Sequence, residues 1–292
     1  MSNRKWSREE IEYLKQNYLD MTNNQLAENL GRTTSAIKNR LNKEGLNRPD
    51  KYFYDKTFFE KIDTEEKAYW LGFIYADGWV SRNKGISYTL GIELNAKDYK
   101  HLQKFNKSLH GNIPVKFRER YDKRFNRNFN AAIIKVYSKK MYNDLIALGC
   151  TENKSKNLSM PFIPEKYFNH FLRGYFDGDG SVYLNKNRKC LNFTFSSSSL
   201  EFLTQIKEKL YQLHIYSYIS NDFYNSPNNP IQAVAPKYQL HIKGMENTYI
   251  FSQYLYKDSS LFLDRKYEKV IEIIESNDIV NRINNYSGTK HK

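Results

Sequence analysis

The sequence predicts an α+β chain of two related αββαββα halves behind a small all-α unit, and three observations predict it. First, two apolar helix-like runs end alike: Tyr69-Trp70-Leu71-Gly72-Phe73-Ile74-Tyr75-Ala76-Asp77-Gly78 and Phe171-Leu172-Arg173-Gly174-Tyr175-Phe176-Asp177-Gly178-Asp179-Gly180. Asp77 and Asp179 are about one hundred residues apart, the length of one small domain. Second, the same succession of patterns follows each run. Third, residues 4–48 carry their own helix caps and apolar spacing and end at a break, Arg48-Pro49.

In residues 4–48, Ser7-x-x-Glu10 is a capping box opening a first helix with Ile11, Leu14 and Tyr18 on one face. Thr22 caps a second helix that Gly31 stops, and Thr34 or Ser35 starts a third that Gly45 stops. Trp6, Leu14, Leu26, Leu30, Ile37 and Leu41 form the expected core. Short connections and the glycine turn suit a helix-turn-helix. Its third helix offers Ser35, Lys38, Asn39 and Asn42, with Thr34 and Arg40, to base edges and phosphates. A plain helical bundle with solvated polar faces fits the same pattern. The domain plan is 1–48 for this unit, 49–62 for a linker, 63–158 and 159–275 for the two halves, and 276–292 for a basic tail.

Asp63-x-x-Glu66 reads as the capping box of the first long apolar helix, and Pro164 as the start of the second. From Tyr69 to Tyr75 the first helix is apolar nearly all round, which means burial. Gly72 and Ala76 are four apart, as are Gly174 and Gly178, so each helix has a small-residue face on which the other helix can lie closely. Tyr88, Leu90, Ile92 and Leu94 then alternate with polar residues, as do Leu191, Phe193 and Phe195. Asp98 and Ser199 cap the next helices, with apolar residues at identical offsets: Leu102, Phe105 and Leu109, then Leu203, Ile206 and Leu210. Two strands and a helix complete each half.

The motif, Trp70–Gly78 and Leu172–Gly180, resembles that of the LAGLIDADG homing endonucleases, and residues 4–48 resemble Myb/SANT-like or transposase-type helix-turn-helix modules. The resemblance implies a saddle of antiparallel sheets and a single-chain, monomeric enzyme that cuts both strands of a long DNA site, leaving short 3′ overhangs. Asp77 and Asp179 are the implied catalytic acids, with the carbonyls of Ala76 and Gly178 helping to bind metal. The sixth motif position is Tyr75 in one copy and Asp177 in the other, a place with a structural role in the family. Lys97, where family members carry a basic residue near the active site, is a candidate to polarise water or neutralise phosphate; its counterpart is Ser198. An ordinary exposed lysine suits that position equally.

The chemistry also has a basis in the residues. Two carboxylates at helix C-termini face an unfavourable macrodipole and repel each other. A divalent cation relieves both costs, and oxygen-only ligands suit magnesium or manganese. Asp177-Gly178-Asp179-Gly180 is not a calcium loop, because glycine falls at loop position four and Arg188 at position twelve.

A net charge of +14 points to a polyanionic partner, most simply nucleic acid. On the predicted strands, Lys116, Arg118 and Arg120 share one face, followed by Lys123, Arg124 and Arg127 in a turn and Lys135 on the return. Lys237, Gln239 and His241 repeat the device more weakly. Such a ribbon can enter a major groove; a merely solvated face is the bland reading. Two cysteines cannot make a four-cysteine zinc site. No apolar run approaches the roughly 18 residues that span a bilayer, and Met1–Trp6 opens no signal sequence, so a cytoplasm or nucleoid of a bacterial or phage-infected cell, or an organelle matrix, is expected. A non-catalytic DNA-binding regulator and an RNA-binding intron maturase remain alternatives on the same fold.

Overall fold

The computed structural model describes residues 4–48, 50–83, 87–122, 126–152, 158–222 and 237–289. The chain divides into two units, 1–53 and 54–292.

In the smaller unit, α1 (Arg8–Asn17), α2 (Asn23–Asn29) and α3 (Thr34–Lys43) enclose Leu14, Leu26, Ala27, Ile37 and Leu41. Trp6, Tyr13, Tyr18, Met21, Leu30 and Leu46 pack around them. Ser7–Glu10 forms the expected box; Thr22–Gln25 forms a second, and Thr33 rather than a later residue caps α3. Gly31, at φ +60°, makes the left-handed turn between α2 and α3, a conformation that a side chain would strain. Glu10 does more than cap: it is buried and accepts from Arg32 Nη2 at 2.8 Å and Nε at 3.0 Å, while Arg32 stacks 4.0 Å above the Trp6 ring.

The larger unit begins inside the expected linker. Phe58, Phe59 and Ile62 are buried, so residues 54–62 belong to the packed unit and not to a tether. Next comes α4 (Glu65–Asp77), whose cap is Thr64, accepting from the Lys67 amide; Asp63 instead pairs with the Lys67 ammonium at 2.7 Å. After α4 come β1 (Gly78–Asn83), β2 (Ser87–Asn95), a 3-10 turn (Ala96–Asp98), α5 (Tyr99–Ser108), β3 (Lys116–Asp122), β4 (Arg127–Tyr137) and α6 (Lys139–Ala147). The second half repeats this with α7 (Phe168–Asp179), β5 (Gly180–Asn185), β6 (Cys190–Ser197), α8 (Leu200–Gln212), β7 (Tyr218–Asp222), β8 (Lys237–Ile242) and α9 (Met245–Tyr256). Pro164 precedes a 3-10 turn (Glu165–Tyr167) that leads into α7.

The sheets have the same antiparallel order, β1-β2-β4-β3 and β5-β6-β8-β7. α10 (Asp264–Ser276) closes the second half, and the residues expected as a tail, 276–292, include α11 (Ile279–Thr289), with Ile279 buried. Asp98 gives α5 no side-chain cap; it pairs with Arg265 Nε at 3.0 Å. Ser199 caps α8 as expected.

The two halves meet along α4 and α7, the most extensive contact between described elements. A Cβ at Gly72 would lie 1.9 Å from the Phe171 carbonyl oxygen, and one at Gly174 would lie 1.9 Å from that of Tyr69. Backbone therefore touches backbone, which a larger residue prevents. Around the crossing, Tyr69, Trp70, Leu71, Phe73, Phe171, Leu172, Tyr175 and Phe176 are buried.

Gly174→Ala is expected to lower the unfolding free energy by about 3 kcal/mol or more, measured by denaturant titration, because the neighbour is backbone and cannot rotate away. A loss under about 1 kcal/mol contradicts the tight crossing. In the smaller unit, the Arg32 hydrogen bond holds Glu10 near a pKa of about 2 against its ordinary 4.5. A depressed folded value stabilises fully above the unfolded pKa, and that stabilisation is lost as pH falls from 4.5 towards 2. Thermal unfolding followed on NMR signals of residues 6–46 is expected to show a loss of up to about 3 kcal/mol across that range. Glu10→Gln is expected to remove most of the slope; an unchanged slope contradicts the pairing.

Candidate acidic site at the helix crossing

Helix α4 runs directly into β1 and α7 directly into β5, so each motif acid stands at the junction of a buried helix and a sheet. The two caps are extended, Gly78 at φ −83° and Gly180 at φ −89°, so neither glycine is needed for a left-handed turn. They are needed for closeness: a Cβ at 78 would meet Ile74 Cα at 2.8 Å, and one at 180 the Phe176 carbonyl oxygen at 2.5 Å. At the C-terminal ends of the crossing, a Cβ on Gly178 would lie 2.3 Å from the Ala76 Cβ and 3.4 Å from the Asp77 amide nitrogen. The helices therefore deliver Asp77 and Asp179 to one place. Both are exposed, whereas the preceding turns are buried.

Asp177, the other acid of the motif, is 1% exposed. Its Oδ2 accepts from the Tyr69 hydroxyl at 2.6 Å and the Leu263 amide at 2.7 Å. Burial pushes its carboxyl upward, against the pull of Lys266 and the Tyr69 hydroxyl. Tyr75, at the matching position of α4, donates its hydroxyl to the Leu148 carbonyl. Both sixth-position residues therefore anchor neighbouring chain, by different chemistry.

Lys266 on α10 is 6% exposed and donates to the carbonyls of Phe176 at 2.6 Å, Gly178 at 3.3 Å and Gly180 at 2.6 Å. Burial holds its pKa down to about 8, against the attraction of Asp177, Asp77 and Asp179. The sequence carries a signal for it: Lys266 falls in register with Val270, Ile273 and Ile274, a lysine on the apolar stripe of an amphipathic helix. Arg173 is fully buried and binds the Leu261 and Leu255 carbonyls, each at 2.7 Å, and Glu65 at 2.8 Å. His101, buried and held near pKa 3 chiefly by desolvation, meets the Tyr69 hydroxyl at 3.0 Å.

Asp77 opens onto a cleft of about 450 Å³ lined by Trp79, Glu93, Leu94, Asn95, Arg118, Arg120 and Phe129. Strand register puts Lys116, Arg118 and Arg120 on the sheet face that also carries Glu93, Lys135 and Trp79. Lys116 and Lys135 are exposed there. Glu93 ties up both arginines, accepting from Arg118 and from Arg120 at 2.7 Å. Sequence alternation alone did not single out this acid. Lys97 lies exposed in the 3-10 turn, its amide bonded to Asn95, and is absent from the cleft lining.

On the second sheet, Lys237, Gln239 and His241 share a face with Ser220 and Tyr218, which oppose Gln239 and His241. His241 stacks on Tyr218 and shares a 2.7 Å hydrogen bond with Ser220, so this face is polar more than cationic. Tyr216 precedes β7 and is exposed. Lys123 and Arg124 lie outside the described residues; Arg127 begins β4. On α3, Ser35, Lys38, Asn39 and Asn42 are exposed, while Arg40 pairs with Glu44 at 2.6 Å. No helix among the described residues is long and apolar enough to cross a membrane.

The donor set at the crossing is two carboxylates and peptide carbonyls, all oxygen, which fits a hard divalent cation. Among the described residues no cluster of three or more His, Cys, Asp or Glu side chains supplies an alternative metal centre.

Residues 168–256 match the profile of a LAGLIDADG-like domain. A 123-residue stretch is 28% identical to an uncharacterised protein of Methanocaldococcus jannaschii, covering 42% of this chain and 44% of that protein, so the match spans less than half of that relative. Among solved structures, the homing endonuclease I-WcaI bound to its DNA recognition sequence aligns with TM-score 0.48 and 16% identity, over 73% of this chain and 91% of that one. The N-terminal LAGLIDADG domain of DUF199/WhiA aligns with TM-score 0.41 and 17% identity, over 71% and 89%.

Glu93→Gln releases two arginines on a cationic face. Fluorescence anisotropy with a random-sequence duplex is expected to show tighter binding and a log Kd against log[salt] slope steeper by about 0.9 per added phosphate contact. An unchanged slope contradicts the tether.

Proposed function

We propose that this chain is a metal-dependent DNA endonuclease in which Asp77 and Asp179 each serve one strand of a duplex. The observation that carries the reading is the glycine-lined crossing that brings two exposed acids from two homologous helix ends to one place. A structural acid would be buried, as Asp177 is, whereas Asp77 and Asp179 are exposed. The profile match over 168–256 includes the second motif and supports the same reading.

Asp77 and Asp179, with the carbonyls of Ala76 and Gly178, would hold magnesium or manganese. The bound cation supplies Lewis acidity and lowers the pKa of water, the chemistry phosphodiester hydrolysis requires. The protein's own contribution is position. The rigid crossing spaces the acids, and the buried last turns keep water out from below. Lys116, Arg118, Arg120 and Lys135 on the first sheet bind phosphates. Lys237, Gln239 and His241 present hydrogen-bonding groups to base edges on the second. Arg124 and Arg127, charged residues of the sequence between Lys116 and Lys135, are further proposed phosphate contacts. Ser35, Lys38, Asn39 and Asn42 on α3 give the smaller unit a second contact with DNA, as a helix-turn-helix, and lengthen the target. The single chain carries both halves and acts as a monomer. Cleavage across the minor groove leaves short 3′ overhangs. Lys97, exposed outside the cleft, is assigned no step.

Incubation of a supercoiled plasmid bearing the chain's own genomic locus with magnesium tests the reading. The parent is expected to give linear DNA, and Asp77→Asn or Asp179→Asn to give nicked circles or nothing, at least about 100-fold slower in the affected strand. Tight, site-specific binding without cutting, unchanged in both variants, instead assigns a regulator; preference for intron RNA assigns a maturase.

A further inference from the structure

The segment joining α9 to α10 is fastened to both halves. Arg173 on α7 holds the Leu255 and Leu261 carbonyls, and Asp177 holds the Leu263 amide. From the first half, Lys104 reaches the Phe262 carbonyl at 3.0 Å and Asp264 at 2.5 Å, and Asp98 binds Arg265. The start of α10 is thereby fixed in three dimensions, and with it the position of Lys266.

The three carbonyls that Lys266 binds belong to residues three before, one before and one after Asp179. Two of them lie in the last turn of α7, at the negative pole of the helix, where the Phe176 carbonyl also accepts from the Gly180 amide. The third begins β5. One ammonium therefore clamps the helix-to-strand junction on both sides of the acid. Burying an ammonium costs several kcal/mol, and a methionine or leucine would fill an apolar stripe at less cost. Packing alone does not account for a charge here, whereas a convergence of acidic groups does. Asp77, Asp177 and Asp179 all draw on Lys266, with Arg265 opposing them.

We propose that Lys266 is a positioning residue of the acid pair: it sets the backbone on which Asp179 stands and supplies a fixed positive charge that lets the two acids converge before a divalent cation arrives. This rests on the reading of Asp77 and Asp179 as the cation-holding pair. The charge offsets the acids' repulsion in the empty state and competes with an arriving cation, so its removal has opposite effects on cation affinity and on cleavage.

Full-length Lys266→Met and Lys266→Gln are compared with the parent by terbium(III) luminescence titration without DNA and by strand-resolved plasmid cleavage, with thermal melts to confirm folding. Lys266→Gln keeps a donor for the carbonyls and carries the test alone if Lys266→Met does not fold. Both variants are expected to bind terbium at least about five-fold more tightly. They are also expected to cut the strand that depends on Asp179 at least about ten-fold more slowly, so nicked circles accumulate. Affinity and cleavage falling together, or neither moving, overturns the proposal and leaves a packing role. If the parent binds terbium without cutting and the variants bind it more tightly, the nuclease reading fails and the role of Lys266 stands. A parent that does not bind terbium at all overturns both.

Discussion

The larger unit depends on one contact, the approach of the α4 and α7 backbones at Gly72 and Gly174. Each glycine lies where an added carbon would collide with a peptide oxygen of the other helix. Nothing but hydrogen fits. Because this approach is reciprocal, it fixes both the separation of the two helices and their longitudinal register, and the register determines where their C-termini end. A slip of one turn would move an acid by about 5.4 Å along the helix and dissolve the pairing of Asp77 with Asp179. The aromatic residues around the crossing add burial, but aromatic packing tolerates rearrangement in a way that backbone contact does not.

That geometry creates an electrostatic problem. Two parallel-running helix ends bring carbonyl dipoles and two acids together, with Asp177 buried two residues before Asp179. The protein answers with buried cations: Lys266, brought from α10 to the end carbonyls of α7, and Arg173 on α7 itself, joined to Glu65 on α4 and to the strap after α9. On the open side, the first sheet carries its arginines with a counter-charge already in place at Glu93. The buried cations are locked, while the exposed ones can exchange Glu93 for another anion. This division sets a rigid acidic site beneath a surface whose cations are exchangeable, as the proposed function requires.

The duplication was legible because its signals are local: glycine spacing, apolar periodicity and the acid-glycine ends all lie within a dozen residues of one another, and the sheets follow from the repeat. The caps are less legible. Asp63 and Asp98 have the right chemistry for caps, yet Thr64 takes the first place and Arg265 takes Asp98 away, because ion pairs compete with local capping. The features that distinguish the site were the hardest to read. Lys266 is far from Asp179 in sequence, Glu93 reads as an ordinary polar residue in an alternating strand, and the fate of Asp177 depends on a tyrosine from the other half. Pairings of this kind have no period, so no pattern along the chain announces them.

The central claim is that the helix crossing builds one oxygen-lined cation site from both acids. A crystal of the protein with duplex DNA and manganese, recorded at the manganese absorption edge, tests it directly. The account predicts anomalous peaks within coordination distance, about 2.2 Å, of the Asp77 and Asp179 carboxylates, flanked by the Ala76 and Gly178 carbonyls. Manganese bound elsewhere, with both carboxylates turned to solvent or to protein donors, would contradict it.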